Sequence, residues 1–434
     1  MIKIEIFPAS YGDCFLVRCS NNDNKWTNIL IDCGFKSTFE NNLKARLDEL
    51  NTDSESLDLV VVTHIDVDHI TGMIAFFSQN GKIDAPKIIP VKEIWHNGFK
   101  QMHFKELILS KYTFKEKNLL SYFSMPDNSE ADFKDVNAEH DVNLIEAFHR
   151  GKYLDIWNKT ANHAAISTDN LTSAQFGDVN IVLLTPSDKV LEALDKFSMK
   201  EFEDKMSTDF EMKDDGFILE QVWENIIGSS RDFSEKEIKL VSKAGKKLKE
   251  LLSSKEVSTR ELDAQLKKMI TDKIREDKSP PNKSSIAFIL EFHGLRVLFL
   301  GDTVPSLVID KLSALKACGD DLIFDAIKIS HHGSKKNTNQ KLLAMIDSEN
   351  YIISSNGFRF NHPDIETLLW IVSRDRRNNR KRKLIFNYKT ENSSLLNDDR
   401  LKQYFDYSYE VLEINEQAKA GKKAKFKSYN LVLE

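Results

Sequence analysis

Residues Leu57–Thr63 read LDLVVVT, a β-branched run that ends directly on His64-Ile65-Asp66-Val67-Asp68-His69. Such a run makes a buried strand, so four groups able to bind a metal arrive together at the carboxyl end of one core strand. Alternate residues His64, Asp66 and Asp68 are expected to share one side of an extended loop, with His69 turning away at the start of the next helix. Imidazole with carboxylate suits Zn²⁺, Mn²⁺ or Fe²⁺, and the two carboxylates favour harder ions than an all-histidine site would.

Two later runs follow the same plan. Leu295–Leu300 (LRVLFL) ends on Gly301-Asp302, and Ala326–Ser330 ends on His331-His332-Gly333. Strands that present polar residues at their carboxyl ends are how layered α/β folds assemble one site from distant parts of the chain. Further short strands are read at Ile2–Phe7, Cys14–Cys19, Asn28–Asp32 and Val179–Thr185, with a hairpin joining Ser285–Phe292 to Leu295–Leu300 and a helix over Phe39–Leu50.

Roughly 230 residues separate His69 from Asp302, far more than the dozen or so a crossover needs. Within them, Phe99–Thr160 and Leu191–Lys278 are rich in Lys, Glu, Asp, Leu and Phe and read as helical. The expected organisation is one domain over 1–434, with its core at about 1–95, 177–190 and 280–434. Segments 96–176 and 191–279 are then mainly helical insertions, forming a cap beside the cleft or an interaction surface.

The net charge of −6 over 434 residues excludes a global basic field, so any nucleic-acid contact must come from a local patch. The opening MIKIEIFPASYGDCFLV alternates like a strand and lacks the features of a signal peptide. No stretch approaches the roughly 18 apolar residues that span a bilayer, and a cytoplasmic location without membrane contact is expected. Cys14, Cys19, Cys33 and Cys318 show no C-x-x-C spacing and read as free thiols.

The motif Thr63-His64-Ile65-Asp66-Val67-Asp68-His69 resembles the His-x-His-x-Asp-His signature of the metallo-β-lactamase superfamily. With Asp66 in the second histidine's place, it looks like the branch containing the soluble domain of the competence protein ComEC. Gly12-Asp13-Cys14, Ile31-Asp32-Cys33-Gly34, Asn282–Ser285, Leu300-Gly301-Asp302, His331-His332-Gly333-Ser334 and Asn361-His362-Pro363 extend the likeness. The resemblance implies an αββα sandwich and two divalent metal ions, Zn²⁺ or Mn²⁺. His64 and Asp66 would hold one ion, Asp68 and His69 the other, and Asp302 would bridge both. One of His331 and His332 completes the second site, with His331 taken as the ligand and His332 as a catalytic residue beside Asp68 and His362. Asp32 would orient the ligands from behind, and His362 would approach the substrate as oxyanion stabiliser or proton donor. The family usually supplies a further histidine to the first ion, and none stands beside Asn282–Ser285. Asn282, Ser284, a water or His96 is left to fill that place.

Two ions sharing a water suit phosphodiester, thioester, lactone or β-lactam hydrolysis alike. Lys335 and Lys336, directly after His331–Ser334, place cations where a phosphate needs them, and Asn282 is a further substrate contact. The run Arg374–Lys383 carries seven cations and one anion in ten residues, a local footprint for phosphates. These features, with the resemblance, favour a metal-dependent phosphodiesterase or nuclease. The alternatives are a small-molecule hydrolase, lactonase or phosphorylcholine-esterase-like, and a partner-binding subunit of a bacterial defence assembly that contacts other proteins through the insertions.

Overall fold

The computed structural model describes residues 1–21, 25–98, 137–206, 243–253, 259–270, 274–374, 380–412, 415–416 and 427–434. Near the N-terminus the apolar alternation makes β1 (Ile2–Ile6), β2 (Phe15–Ser20) and β3 (Trp26–Ile31), an antiparallel meander. β4 (Leu59–Val61) joins β3 in parallel; β5 (Gly81–Lys82) and β6 (Ala85–Pro86) form a separate hairpin, and β7 (Ile94–Trp95) continues the parallel edge.

A second sheet begins with β8 (Ser173–Phe176) and β9 (Val179–Thr185), then β10 (Ala287–Phe292) and β11 (Leu295–Phe299), each antiparallel to the one before. From β11 the sheet runs parallel through β12 (Ile323–Lys328), β13 (Asp347–Ile353), β14 (Arg382–Phe386) and β15 (Tyr407–Val411). β16 (Asn415–Glu416) and β17 (Lys427–Leu433) return to the first sheet beside β1. The strand orders are β16-β17-β1-β2-β3-β4-β7 and β15-β14-β13-β12-β11-β10-β9-β8 among the described residues.

Period-two burial decides how the layers stack. Ile4, Phe15, Val17, Ile29, Ile31 and Val61 point into a core shared with Ile181, Phe288, Leu290, Val297, Phe299 and Ile352 of the other sheet. Leu16, Leu30, Val60 and Val62, on the opposite face, pack on Leu43, Leu47, Ile70, Met73 and Phe76 from the helical stretches before β4 and at Val67–Asn80. Ile289, Leu298, Ile327, Tyr351 and Leu384 pack on Val308, Leu312, Leu368 and Leu369 from helices Pro305–Ala317 and Ile365–Ser373. The result is helix, sheet, sheet, helix: an αββα sandwich, with each buried aliphatic or aromatic side chain contributing about 1.5–3 kcal/mol.

The helix read at Phe39–Leu50 starts earlier, at Lys36, and runs through a π-helical turn at Phe39–Leu43 to Thr52. Segment 96–176, read as mainly helical, also yields β8, which pairs with β9 across Gly177. The described helices of the insertions join the outer layers. Asn137–Gly151 packs on Val67–Asn80, through Leu144, Ala147 and Phe148. Lys243–Ser253 and Thr259–Ile270 pack on Ile365–Ser373 through Leu248, Leu266 and Met269. The remainder of the expected cap, 99–136 and 207–242, lies outside the described residues. Among the described residues no helix is long and apolar enough to cross a membrane, and Cys14, Cys19, Cys33 and Cys318 are free thiols.

Candidate metal centre

The parallel strands of both sheets run out at one end of the sandwich, and each delivers a polar residue there. β3 leads into Asp32, β4 into Thr63 and His64, β11 into Asp302 and β12 into His331 and His332. The extended stretch after β4 stops sooner than the sequence suggests: Asp66 is the N-cap of helix Val67–Asn80, and Asp68 and His69 lie in its first turn. His69 therefore does not turn away. It sits on the same centre as His64, with ring centroids 4.2 Å apart.

Hydrogen bonds at the Nδ1 atoms fix which face each imidazole presents. Asp32 accepts from the Thr63 amide (2.8 Å), the Thr63 hydroxyl (2.6 Å) and His69 Nδ1 (2.8 Å). Because the Thr63 proton is spent on Asp32, its oxygen accepts from His64 Nδ1 at 3.0 Å. The carbonyl of Ser354 can only accept, so His332 Nδ1 donates to it at 2.9 Å. Asn337 directs its Nδ2 at the carbonyl of Asp302 (2.9 Å), which leaves Oδ1 to accept from His331 Nδ1 at 2.8 Å. All four rings thus carry the proton on Nδ1 and turn the Nε2 lone pair inward, the tether pattern of metal-ligating histidines.

The Nε2 atoms meet at one oxygen. Asp302 Oδ2 lies 3.4 Å from His69, 3.4 Å from His332, 3.8 Å from His331 and 3.9 Å from His64. Asp68 Oδ2 is 3.4 Å from His332 and 3.8 Å from His69, and Asp66 Oδ2 is 3.6 Å from His64. The Nε2 atoms of His64, His69 and His332 are buried with no hydrogen-bond partner. Lone pairs and carboxylate oxygens facing one another in a buried space need a cation between them, and this donor set fits divalent metal ions of the zinc or manganese type. Backbone strain accompanies the arrangement: His331 and His332 both take left-handed conformations, φ 46° and 55°, at a cost of order 1 kcal/mol each.

Asp13, His69, Asp302 and His332 each offer a ligand atom, all within 4.8 Å of one another. One oxygen of Asp13, Oδ2, is paired with the buried ammonium of Lys328, and Oδ1 faces His332 Nδ1 at 3.5 Å. Lys328 also donates to the carbonyl of Gly301 (3.1 Å) and stands 3.6 Å from Asp302 Oδ1. Its charge faces Oδ1 of Asp302, while Oδ2 faces the four imidazoles. Gly12 precedes this pair because a Cβ there would run into the carbonyl of Asp68. Asp13 and Lys328 escaped the reading of the sequence as site residues, although Gly12-Asp13-Cys14 stood among the matched motifs.

Other expected residues fall out differently. His96 is fully buried, and its Nε2 bonds Asp141 Oδ1 at 2.6 Å, so it is no ligand of this centre. Ser284 donates its hydroxyl to the carbonyl of Pro281 at 2.6 Å. Asn282 is buried and gives its Nδ2 to Asp277 Oδ2 at 2.5 Å. Lys335 is drawn off by Glu366 (2.8 Å), while Lys336 is exposed. His362 is ring to ring with His331, centroids 5.4 Å apart, at the mouth of the centre. Burial first, then the imidazoles of His331 and His332, hold it well below the ordinary imidazole value. A neutral His362 suits hydrogen-bond donation to developing charge better than proton donation.

The described residues of the basic run, Arg374 and Arg380–Lys383, are not at this end of the molecule. Arg382 is buried at the start of β14, with Nε and Nη2 on Asp347 at 3.0 and 3.1 Å, and Arg374 reaches the same carboxylate at 3.1 Å. Lys381 pairs with Asp406 and Lys383 with Glu410. The metal centre lies at the other end of these parallel strands, roughly 20 Å away for seven residues of β13. Residues 375–379 lie outside the described residues.

Residues 8–144 match the metallo-beta-lactamase superfamily. No curated protein matches the chain. The match contains Asp32 and the whole His64–His69 motif and ends before Asp302, so the fold joins the rest of the cluster to it. Together, the match and the buried donor cluster support a metal-dependent hydrolase.

Without an ion, protons take its place. Burial opposes charge on His69 and His332, but Asp302 leads the carboxylates that overcome it and hold both rings well above the ordinary imidazole value. These raised values stabilise the metal-free fold fully below about pH 6.5, and that contribution is lost as pH rises through the folded values. A metal must displace the same protons. Zn²⁺ titrated into metal-stripped protein is therefore expected to bind at least about tenfold more tightly at pH 8 than at pH 6, with proton release in calorimetry. Equal affinity at the two pH values would contradict the ligand set.

Proposed function

We propose that this chain is a two-ion, metal-dependent phosphodiesterase of the ComEC-like branch, acting on short or single-stranded phosphodiesters. The observation that carries the reading is the convergence of four Nδ1-tethered imidazoles on the buried carboxylate of Asp302, with Asp68 beside His69 and His332 and Asp66 beside His64. Bound there, divalent ions would lower the pKa of a water and neutralise charge on a phosphoryl oxygen. His64, Asp66, Asp68, His69, Asp302, His331 and His332 would hold them, and Asp32, Thr63 and Lys328 keep those side chains in place. His362 donates a hydrogen bond from the open side to the oxygen that gains charge. Lys336, exposed and close enough to depress His362, attracts the anionic diester.

The choice of phosphodiester over lactone rests on this cation and on the resemblance. A long polynucleotide tracking the basic run is not part of the proposal, because Arg374 and Arg382 are spent on Asp347. The test is a substrate panel on metal-stripped protein reloaded with Mn²⁺ or Zn²⁺: bis(p-nitrophenyl) phosphate, a 5′-labelled single-stranded oligonucleotide, an acyl lactone and a β-lactam. Metal-dependent turnover of the diester and the oligonucleotide is expected. Turnover of the lactone alone would move the reading to a small-molecule hydrolase, and no turnover with metal bound would move it to a binding subunit.

A further inference from the structure

His331 and His332 are consecutive, yet their rings part. The planes stand 72° apart with centroids 5.7 Å from one another, a consequence of two successive left-handed residues. His332 enters the group formed by Asp68 and His69, with Nε2 at 3.4 Å from Asp68 Oδ2. His331 Nε2 lies 3.8 Å from Asp302 Oδ2, and its own tether is separate. Asn337 Oδ1 holds its Nδ1, Asn337 Nδ2 also reaches Asp277 Oδ2 at 3.3 Å, and that oxygen is 3.9 Å from His331 Nδ1. Asp277 is fixed in turn: its backbone amide donates to the carbonyl of Lys336, and its carboxylate accepts from Asn282 and from the Ser279 amide. The segment that carries it returns from helix Thr259–Ile270 of the second insertion to the core.

On the two-ion reading above, we infer that His331, set by Asn337 and Asp277, is the second imidazole of the ion held by His64 and Asp66. Consecutive histidines then serve different ions, and the first ion's missing histidine is supplied from the strand that also completes the second site. The second insertion takes part in the centre through Asp277, as a positioning residue that touches no ion.

Zn²⁺ stoichiometry and affinity, measured by chelator competition and elemental analysis, test this without reference to turnover. Wild type is expected to hold two equivalents. His331→Ala should keep one tight equivalent and lose about a hundredfold or more in affinity for the other, beyond the 10–100-fold typical of an orienting residue. Asp277→Ala, which leaves every ligand in place, should weaken the same equivalent by about tenfold and serves if His331→Ala fails to fold. His332→Ala should instead impair the equivalent left intact in His331→Ala. Two unweakened equivalents in His331→Ala, or loss of the first equivalent in Asn282→Ala with His331→Ala unaffected, would overturn the inference. Fewer than two equivalents in wild type would instead refute the two-ion reading beneath it.

Discussion

Asp302→Ala is expected to abolish metal-dependent hydrolysis with the fold intact. Its Oδ2 lies within 4 Å of all four Nε2 atoms, so alanine removes the oxygen they share and leaves Lys328 without its second carboxylate. Metal-assisted charge stabilisation is worth several kcal/mol, and a loss of about 4 kcal/mol is roughly a thousandfold in rate. Turnover of bis(p-nitrophenyl) phosphate should fall at least that far, while the circular dichroism spectrum is kept. Turnover within tenfold of wild type would show that hydrolysis does not pass through this centre.

Arg382→Ala should do the opposite, damaging the fold and sparing the metal centre. Asp347, itself buried, accepts two bonds from Arg382, and Arg374, Tyr351 and the Ser348 amide complete its shell. Removing one partner from a buried ion pair costs about 3–5 kcal/mol, because the remaining charge is left without compensation. The midpoint of urea unfolding should drop accordingly, with Zn²⁺ affinity unchanged. A loss below about 1 kcal/mol, accompanied by weaker oligonucleotide binding, would return the basic run to the role of a nucleic-acid surface.

These two residues also show how far the sequence could be read. Leu57–His69, Leu295–Asp302 and Ala326–His332 were legible because a buried strand followed by metal-binding side chains is a local pattern, and three of them imply one convergence point. The sheet-to-sheet core was legible for the same reason, through period-two alternation. What escaped is long-range. Arg382 reads as a surface cation until Asp347, 35 residues earlier, is known to start the neighbouring strand. Lys328 looks like the polar end of β12 until the fold sets Asp13 against it. Asn337 and Asp277 are ordinary loop residues in sequence, and only the packing of the returning segment 274–279 against the histidine loop makes them a tether. His69 was misplaced by a single residue of geometry, since the helix begins at Val67 and turns Asp68 and His69 onto the side already occupied by His64.

The position of bound metal tests this centre most directly. Crystals of protein loaded with Zn²⁺ and measured at the zinc absorption edge should give anomalous peaks about 2.0–2.1 Å from the Nε2 atoms of His64, His69 and His332, with Asp302 Oδ2 between them. Peaks only at other sites, or none in metal-loaded protein, would contradict it.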